Sequence, residues 1–360
     1  MQGSSRGLRR VFFGGTIAVA AAAALVAGVA TSALSAQPKT YAGAAHFGHG
    51  YPPPGGIYTG FTNCPLFNQL MHESVQFTAC TAGNATTGSI KIGNITTPVT
   101  NPVNVQFGFY TAPNQTIYAD VVPPPEGVSA FLVSKPDLIP ESLTTMLDCP
   151  STNQVVESLC QRAEHLGKYG NQVYALAESV GAITNFALTS WTQPVVFQLI
   201  NPLLGRDCSI GTLGNPVVLN PSVSITSGQE YVDPDPTKHP DTIVLATQSS
   251  ASDTTFTAPA VTGCGPGGVA NIAVDEALDA SSGLPAASGV NSLTLTGTFN
   301  IAATSASEDS SLPQPQDDAA ILLSAFLASV GTPPPSASQA ATGRLSAAEL
   351  HKLLHHLAVG

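Results

Sequence analysis

Residues 103–109 read Val-Asn-Val-Gln-Phe-Gly-Phe. The alternation places Val103, Val105, Phe107 and Phe109 on one face of an extended strand. Working outward, residues 89–92 (Ser-Ile-Lys-Ile) alternate in the same way, and residues 75–79 are a short apolar run ending at Cys80. Residues 81–88 between them are small and polar and read as a turn. Residues 117–122 and 128–133 are further strand candidates on either side of Pro123-Pro124-Pro125. Later candidates are 216–219, 222–226, 243–246, 254–257 and 292–302. In the last of these, Leu293, Leu295, Gly297, Phe299 and Ile301 share a side. Short strands punctuated by Gly, Pro and Asn predict an α+β protein that is mainly β. The expected form is a disulfide-braced β-sandwich or open barrel-like body with a helical insertion.

The insertion is read over residues 140–200, between a β-rich first half (61–139) and a β-rich second half (201–303). Residues 141–147 fit a short helix. Ser151 stands where a cap would start a longer one, with Val155, Val156, Leu159, Ala163 and Leu166 at helical spacing. Val173, Leu176, Ala177, Val180, Ile183, Phe186 and Ala187 repeat that spacing and predict a helix over 171–189. Trp191, the only tryptophan, reads as a core anchor. Residues 271–280 predict one more helix, with Ile272 on a different face from Asp275, Glu276 and Asp279.

The flanks differ from this body. The first 35 residues carry Arg6, Arg9 and Arg10, then an apolar run over 11–30, then small residues at 33 and 35. That is the pattern of a secretory signal peptide cleaved before Ala36; an uncleaved N-terminal anchor is the alternative. Residues 36–60 read as a Pro/Gly-rich tether. Residues 304–343 read as a low-complexity linker holding a short apolar helix at 319–330. Residues 344–360 read as a C-terminal amphipathic helix, where Ser346 and Glu349 form a capping box and Leu350, Leu353, Leu354 and Leu357 make one stripe. So short a helix needs a surface to dock on. Residues 346–357 are therefore candidates for self-association, or for attachment to a cell wall or membrane surface.

Composition narrows the class. The chain has 12 Lys and Arg against 23 Asp and Glu, and only 10% of it is charged. Losing the leader removes three basic residues and no acid, leaving 9 against 23. No nucleic-acid partner is expected, because that role needs a basic footprint. The six cysteines, Cys64, Cys80, Cys149, Cys160, Cys208 and Cys264, all follow the leader. An even number in an exported chain predicts disulfides. Of the pairings that six allow, the consecutive one closes short loops: Cys64–Cys80, Cys149–Cys160 and Cys208–Cys264.

The cysteine segments also carry a resemblance. Cys64-Pro65, Cys80 with residues 88–94 (Gly-Ser-Ile-Lys-Ile-Gly-Asn), and residues 208–211 (Cys-Ser-Ile-Gly) are similar to segments of exported actinobacterial proteins with no assigned activity. So are residues 263–265 (Gly-Cys-Gly) and 283–289 (Gly-Leu-Pro-Ala-Ala-Ser-Gly). The resemblance spans residues 57–302 and implies export without supplying a reaction.

No motif of a hydrolase, zinc protease, P-loop or dinucleotide site occurs. His72 with Glu73 is a candidate for acid–base work but lies near a disulfide in a short loop, and His165 beside Glu164 reads as a solvated helix face. Asp233 and Asp235 before His239 lack the spacing of a calcium loop. The pairs Asp275/Glu276 and Glu308/Asp309 are sequence neighbours and do not face each other on a helix. His46 and His49 in the tether, and His351, His355 and His356 in the tail, do not define a metal site. Asn84, Asn94 and Asn114 open glycosylation triplets and read as turn and strand polar residues. No catalytic residue, cofactor or metal is expected. The expected function is that of a non-enzymatic exported cell-envelope protein with a structural, adhesive or surface-interaction role. A secreted hydrolase with an unfamiliar site, and a lipid or small-ligand carrier with an apolar cavity, are the alternatives.

Overall fold

The computed structural model describes residues 53–72, 78–111, 119–124, 132–133, 135–232, 242–304, 318–334, 343–345 and 349. The leader, the first part of the tether, the histidines of both tails, Glu73, Asn114, Asp233, Asp235, His239, Glu308 and Asp309 lie outside them. So does the tail helix over 346–357, apart from Glu349. No described helix is long and apolar enough to cross a membrane.

A single turn at Gly56–Tyr58 and α1 (Gln69–His72) precede the first strands. These are β1 (Thr78–Ile92), β2 (Ile95–Pro98), β3 (Val103–Thr111), β4 (Ala119–Val122), β5 (Leu132–Val133) and β6 (Asp137–Leu138). Helices α2 (Leu143–Met146), α3 (Gln154–Leu166) and α4 (Lys168–Asn171) follow. Then come β7 (Tyr174–Ser179), β8 (Thr184–Ala187), β9 (Ser190–Ile200), β10 (Ser209–Ile210), β11 (Val217–Leu219), β12 (Ser222–Val232), β13 (Thr242–Asp253) and β14 (Val261–Thr262). Helix α5 (Ala270–Ser282), β15 (Ser292–Thr304), α6 (Asp318–Ala328) and β16 (Gly343–Leu345) complete the described elements. The fold is α+β, dominated by strands, with a helical insertion and three disulfides.

The strands pair in the order β14-β10-β9-β12-β13-β15-β1-β3-β4. Among the described residues no ladder joins the two ends. The two β-rich halves are interleaved: β1 of the first pairs along its length with β15 of the second. Strand β9 links two groups of strands. Its start meets β8 and β12, and its remainder meets β7, β10 and β11.

Residues 81–88 are not a turn. They are the interior of β1, and Thr81–Ala85 pair with β3 on one side and β15 on the other. Their small size answers a close approach. A Cβ built on Gly297 of β15 would collide with the Asn84 carbonyl oxygen and lie 2.7 Å from the Ala85 Cα. The actual turn is Gly93-Asn94, since Ile92 pairs with Ile95. Gly93 has φ 58°, the left-handed value that a two-residue hairpin requires.

The helical insertion is shorter than the spacing predicts. It ends at Asn171, and the predicted helix over 171–189 is β7 and β8. Short apolar runs carry both periods, and here the partner decides. Residues 195–200 of β9 include Val195, Val196, Phe197 and Leu199 and pair residue by residue with β7. Asn185, at φ 50°, also interrupts any helix there. Residues 254–257 form no strand. Asp253 folds back to accept from the Thr255 N–H at 2.7 Å and ends the extended run. The cap of α3 is Asn153 rather than Ser151: the Asn153 side chain accepts from Val155 N and Val156 N.

The long strands bury both faces. Ala79, Phe109, Leu245 and Ile301 point into one cluster, with Phe107, Phe186, Trp191 and Phe299. Their neighbours Cys80, Tyr110, Val244 and Ala302 point into another. That second cluster is closed by segments expected to be tether and linker. Tyr58 and Phe61 pack on Phe326 of α6 at ring distances of 4.8 and 6.0 Å. The Gly55 N–H donates to Ser329 Oγ at 3.1 Å, and the Gly56 N–H to the Thr332 carbonyl at 2.8 Å. Burying a side chain of this size is worth about 1.5–3 kcal/mol, so this end of the tether and α6 belong to the body. A third cluster lies between β7, β9, β10 and the helices α2, α3 and α5.

Candidate functional site

The two histidines weighed as candidates that fall inside the described residues, His72 and His165, are not assembled into a site. His72 ends α1, and its Nε2 lies 2.8 Å from the Leu66 carbonyl. His165 is exposed in the last turn of α3, as is its neighbour Glu164. Among the described residues no three His, Cys, Asp or Glu side chains converge as a metal site would need.

Asp275 and Asp279 of α5 face the body, while Glu276 is exposed. Ile272 is 60% exposed. Asp275 accepts from Gly263 N at 3.1 Å and Cys264 N at 2.8 Å, and Asp279 accepts from Val261 N at 2.7 Å. The polar side of this helix is thus spent on the backbone of the 261–264 loop. Burial pushes the Asp279 carboxyl above its ordinary value, the Val261 hydrogen bond pulls against this, and the Asp275 charge adds to the rise. These carboxylates hold a loop in place. Asp137 acts similarly: its Oδ1 accepts from Thr100 N and Oγ1 and from Asn101 N and Nδ2, at 2.7–3.1 Å.

What the fold does build is interior space between its two groups of strands. A cavity of about 80 Å³ is walled on one side by β1, β3, β13 and β15, through Ile90, Val105, Leu293, Leu295 and Phe299 among others. Its other wall is Ala177, Trp191, Gln193, Phe197 and Leu219, from β7, β9 and β11. A neighbouring cavity of about 40 Å³ shares Ile90, Val103, Ala177 and Phe197 with it. Roughly 10–15 Å³ on this measure admits one water-sized sphere, so the pair admits a small organic molecule. The walls are apolar apart from a few side chains, and neither His72 nor His165 is among them.

The alternation in β3 and β15 forecast one wall: Val103 and Val105, and Leu293, Leu295, Gly297 and Phe299, line it. The opposite wall went unread because β7 carried helical spacing. Trp191 is a core side chain, as expected, stacked on Phe299 at 5.9 Å and 12°. It is also a wall of the cavity. Gln193 had no sequence signal beyond its place between Trp191 and Pro194. It is 3% exposed, and its Oε1 accepts from Trp191 Nε1 at 3.1 Å.

The chain matches no family model, no curated protein and no solved structure.

Proposed function

We propose that this chain is an exported, non-enzymatic protein that binds a small apolar molecule between two strand layers arranged as an open sandwich. The supporting observation is the paired cavity, lined mostly by apolar side chains from both layers and by no histidine among the described residues. Ligand sites of small molecules are concave, mostly apolar and furnished with few polar groups. Export rests on the leader and on the three disulfides, which persist in oxidising compartments. A structural or adhesive role at the envelope calls for no interior space, and the cavity moves the reading to the carrier.

The test is a titration of the disulfide-bonded protein with butylbenzene, followed by heat and by the emission of Trp191, the only tryptophan in the chain. We expect one saturable site with a dissociation constant between about 1 μM and 1 mM, which corresponds to roughly −8 to −4 kcal/mol. Ala177 lies on the wall shared by both cavities. Ala177→Leu should fill the space and weaken binding about tenfold, with unchanged far-ultraviolet circular dichroism. Absence of saturable binding in the wild-type protein would refute the carrier.

A further inference from the structure

We infer that the molecule held in this cavity is uncharged and carries a carbonyl acceptor of the ketone or ester class, received by the amide nitrogen of Gln193. The inference rests on the carrier reading and deepens it.

The orientation of the Gln193 amide is fixed by chemistry. An indole Nε1 only donates, and Trp191 Nε1 lies 3.1 Å from the Gln193 oxygen. That atom must be the acceptor, so the other terminal atom is the NH2. Gln193 lines the cavity, its Nε2 is buried, and no group among the described residues accepts from it. Among the described residues two other buried polar atoms share this condition, Thr81 Oγ1 and Glu141 Oε2, but neither residue lines either of these two cavities. An unmade hydrogen bond of a buried donor costs its desolvation. A ligand that brings an acceptor to the Gln193 side of the cavity recovers that cost, whereas a hydrocarbon does not.

The walls exclude a charged head. Among the described residues no Lys, Arg or His side chain lines either cavity, and the one ionisable wall residue is Asp137. A carboxylate ligand would be buried among neutral side chains, with no cation to pair it and near another acid, which is strongly unfavourable. The donors to Asp137 are already committed to its Oδ1. A neutral carbonyl matches the unpartnered amide nitrogen of Gln193.

The experiment compares three probes of one shape on the full disulfide-bonded protein by calorimetry: butylbenzene, butyrophenone and 4-phenylbutanoate. In the wild type, butyrophenone should bind about tenfold more tightly than butylbenzene, a difference of about 1.4 kcal/mol. The carboxylate should bind more weakly than either at neutral pH. In Gln193→Met, which keeps length and loses the donor, the ketone advantage should vanish while butylbenzene still binds. The bound ketone should show a lowered carbonyl stretching frequency in the wild type and not in the variant. The wild-type ratio stands even if Gln193→Met fails to fold. Equal binding of ketone and hydrocarbon by the wild type, or tightest binding of the carboxylate, overturns the inference and leaves the carrier intact. Binding of none of the three overturns both.

Discussion

On the long-strand side, β12, β13, β15, β1 and β3 satisfy one another's backbone through ladders that run for most of their length. On the helix-bearing side, β6, β10, β11 and β14 are two or three residues long. There, side chains replace the ladder. Asn201 donates to the Gly170 and Gln172 carbonyls and accepts from Leu203 N. Asn291, 1% exposed, accepts from Gly93 N and donates to the Phe256 and Ala287 carbonyls. Asp253 holds the Thr255 N–H, and Asp275 and Asp279 of α5 hold N–H groups of the 261–264 loop. Two of the three disulfides, Cys149–Cys160 and Cys208–Cys264, lie on this side. Buried backbone must be paired by some means, and the comparison shows two means in one chain. The cavity lies where the two regimes face each other.

The largest expected effect comes from cutting a staple. Cys208 and Cys264 are 56 residues apart, and the chain-entropy relation gives a loop of that length about 4 kcal/mol. Replacing both with Ser should lower urea-unfolding stability by about that amount, against about 3 kcal/mol for the shorter Cys149–Cys160 loop. A loss below about 1 kcal/mol would show that the carboxylates of α5 hold the 261–264 loop alone, and would break the distinction drawn here.

The ladder side should fail differently, by crowding. Gly297→Ala places a methyl group against the Asn84 carbonyl and the Ala85 Cα. Overpacking of this kind costs about 1–3 kcal/mol. Gly214, on the turn after β10, has nothing within 4 Å of the same position. Gly214→Ala should stay within about 0.5 kcal/mol. The β1–β15 register shifts between Ala85 and Thr87, and equal losses in thermal unfolding would mean that the two strands can part there.

How much of this was legible follows from the same contrast. Strands β3 and β15 were readable because over 103–107 and 293–301 one side chain in two turns to the core, so the pattern survives there in the sequence. Residues 81–85 were misread because a central strand pressed by Gly297 must be small, and small polar residues also make turns. β7 was misread because its register is set by β9, more than twenty residues away at its first pair. The cysteine pairing was legible from spacing, and the structure has it. Helix α6 read as apolar, but nothing local tells that Tyr58 and Phe61 cover it. Gln193 was invisible, because a buried amide with one free donor has meaning only beside the cavity it lines.

The smallest effect asks whether the acids of the stapled side support it or merely fit there. Asp279 is half-buried, and burial, together with the charge of Asp275, raises its carboxyl above the ordinary 3.8 despite the Val261 hydrogen bond. The folded protein therefore binds this proton more tightly than the unfolded chain does. Between the ordinary value and the raised one, the folded state holds the extra proton, so the stability owed to this group falls as pH rises through that window. Above the window the ionised carboxylate is a net cost. Asn at 279 still offers an oxygen to the Val261 N–H and carries no charge. Asp279→Asn should therefore gain on the wild type as pH rises from 3 to 7, by under about 1 kcal/mol once solvent screening of a half-exposed group is counted. Urea unfolding of both proteins at pH 3, 5 and 7 measures the difference. A difference that shrinks or reverses with rising pH would mean that the charge-assisted bond to Val261 outweighs burial, and that the stapled side depends on its carboxylates as it does on its disulfides.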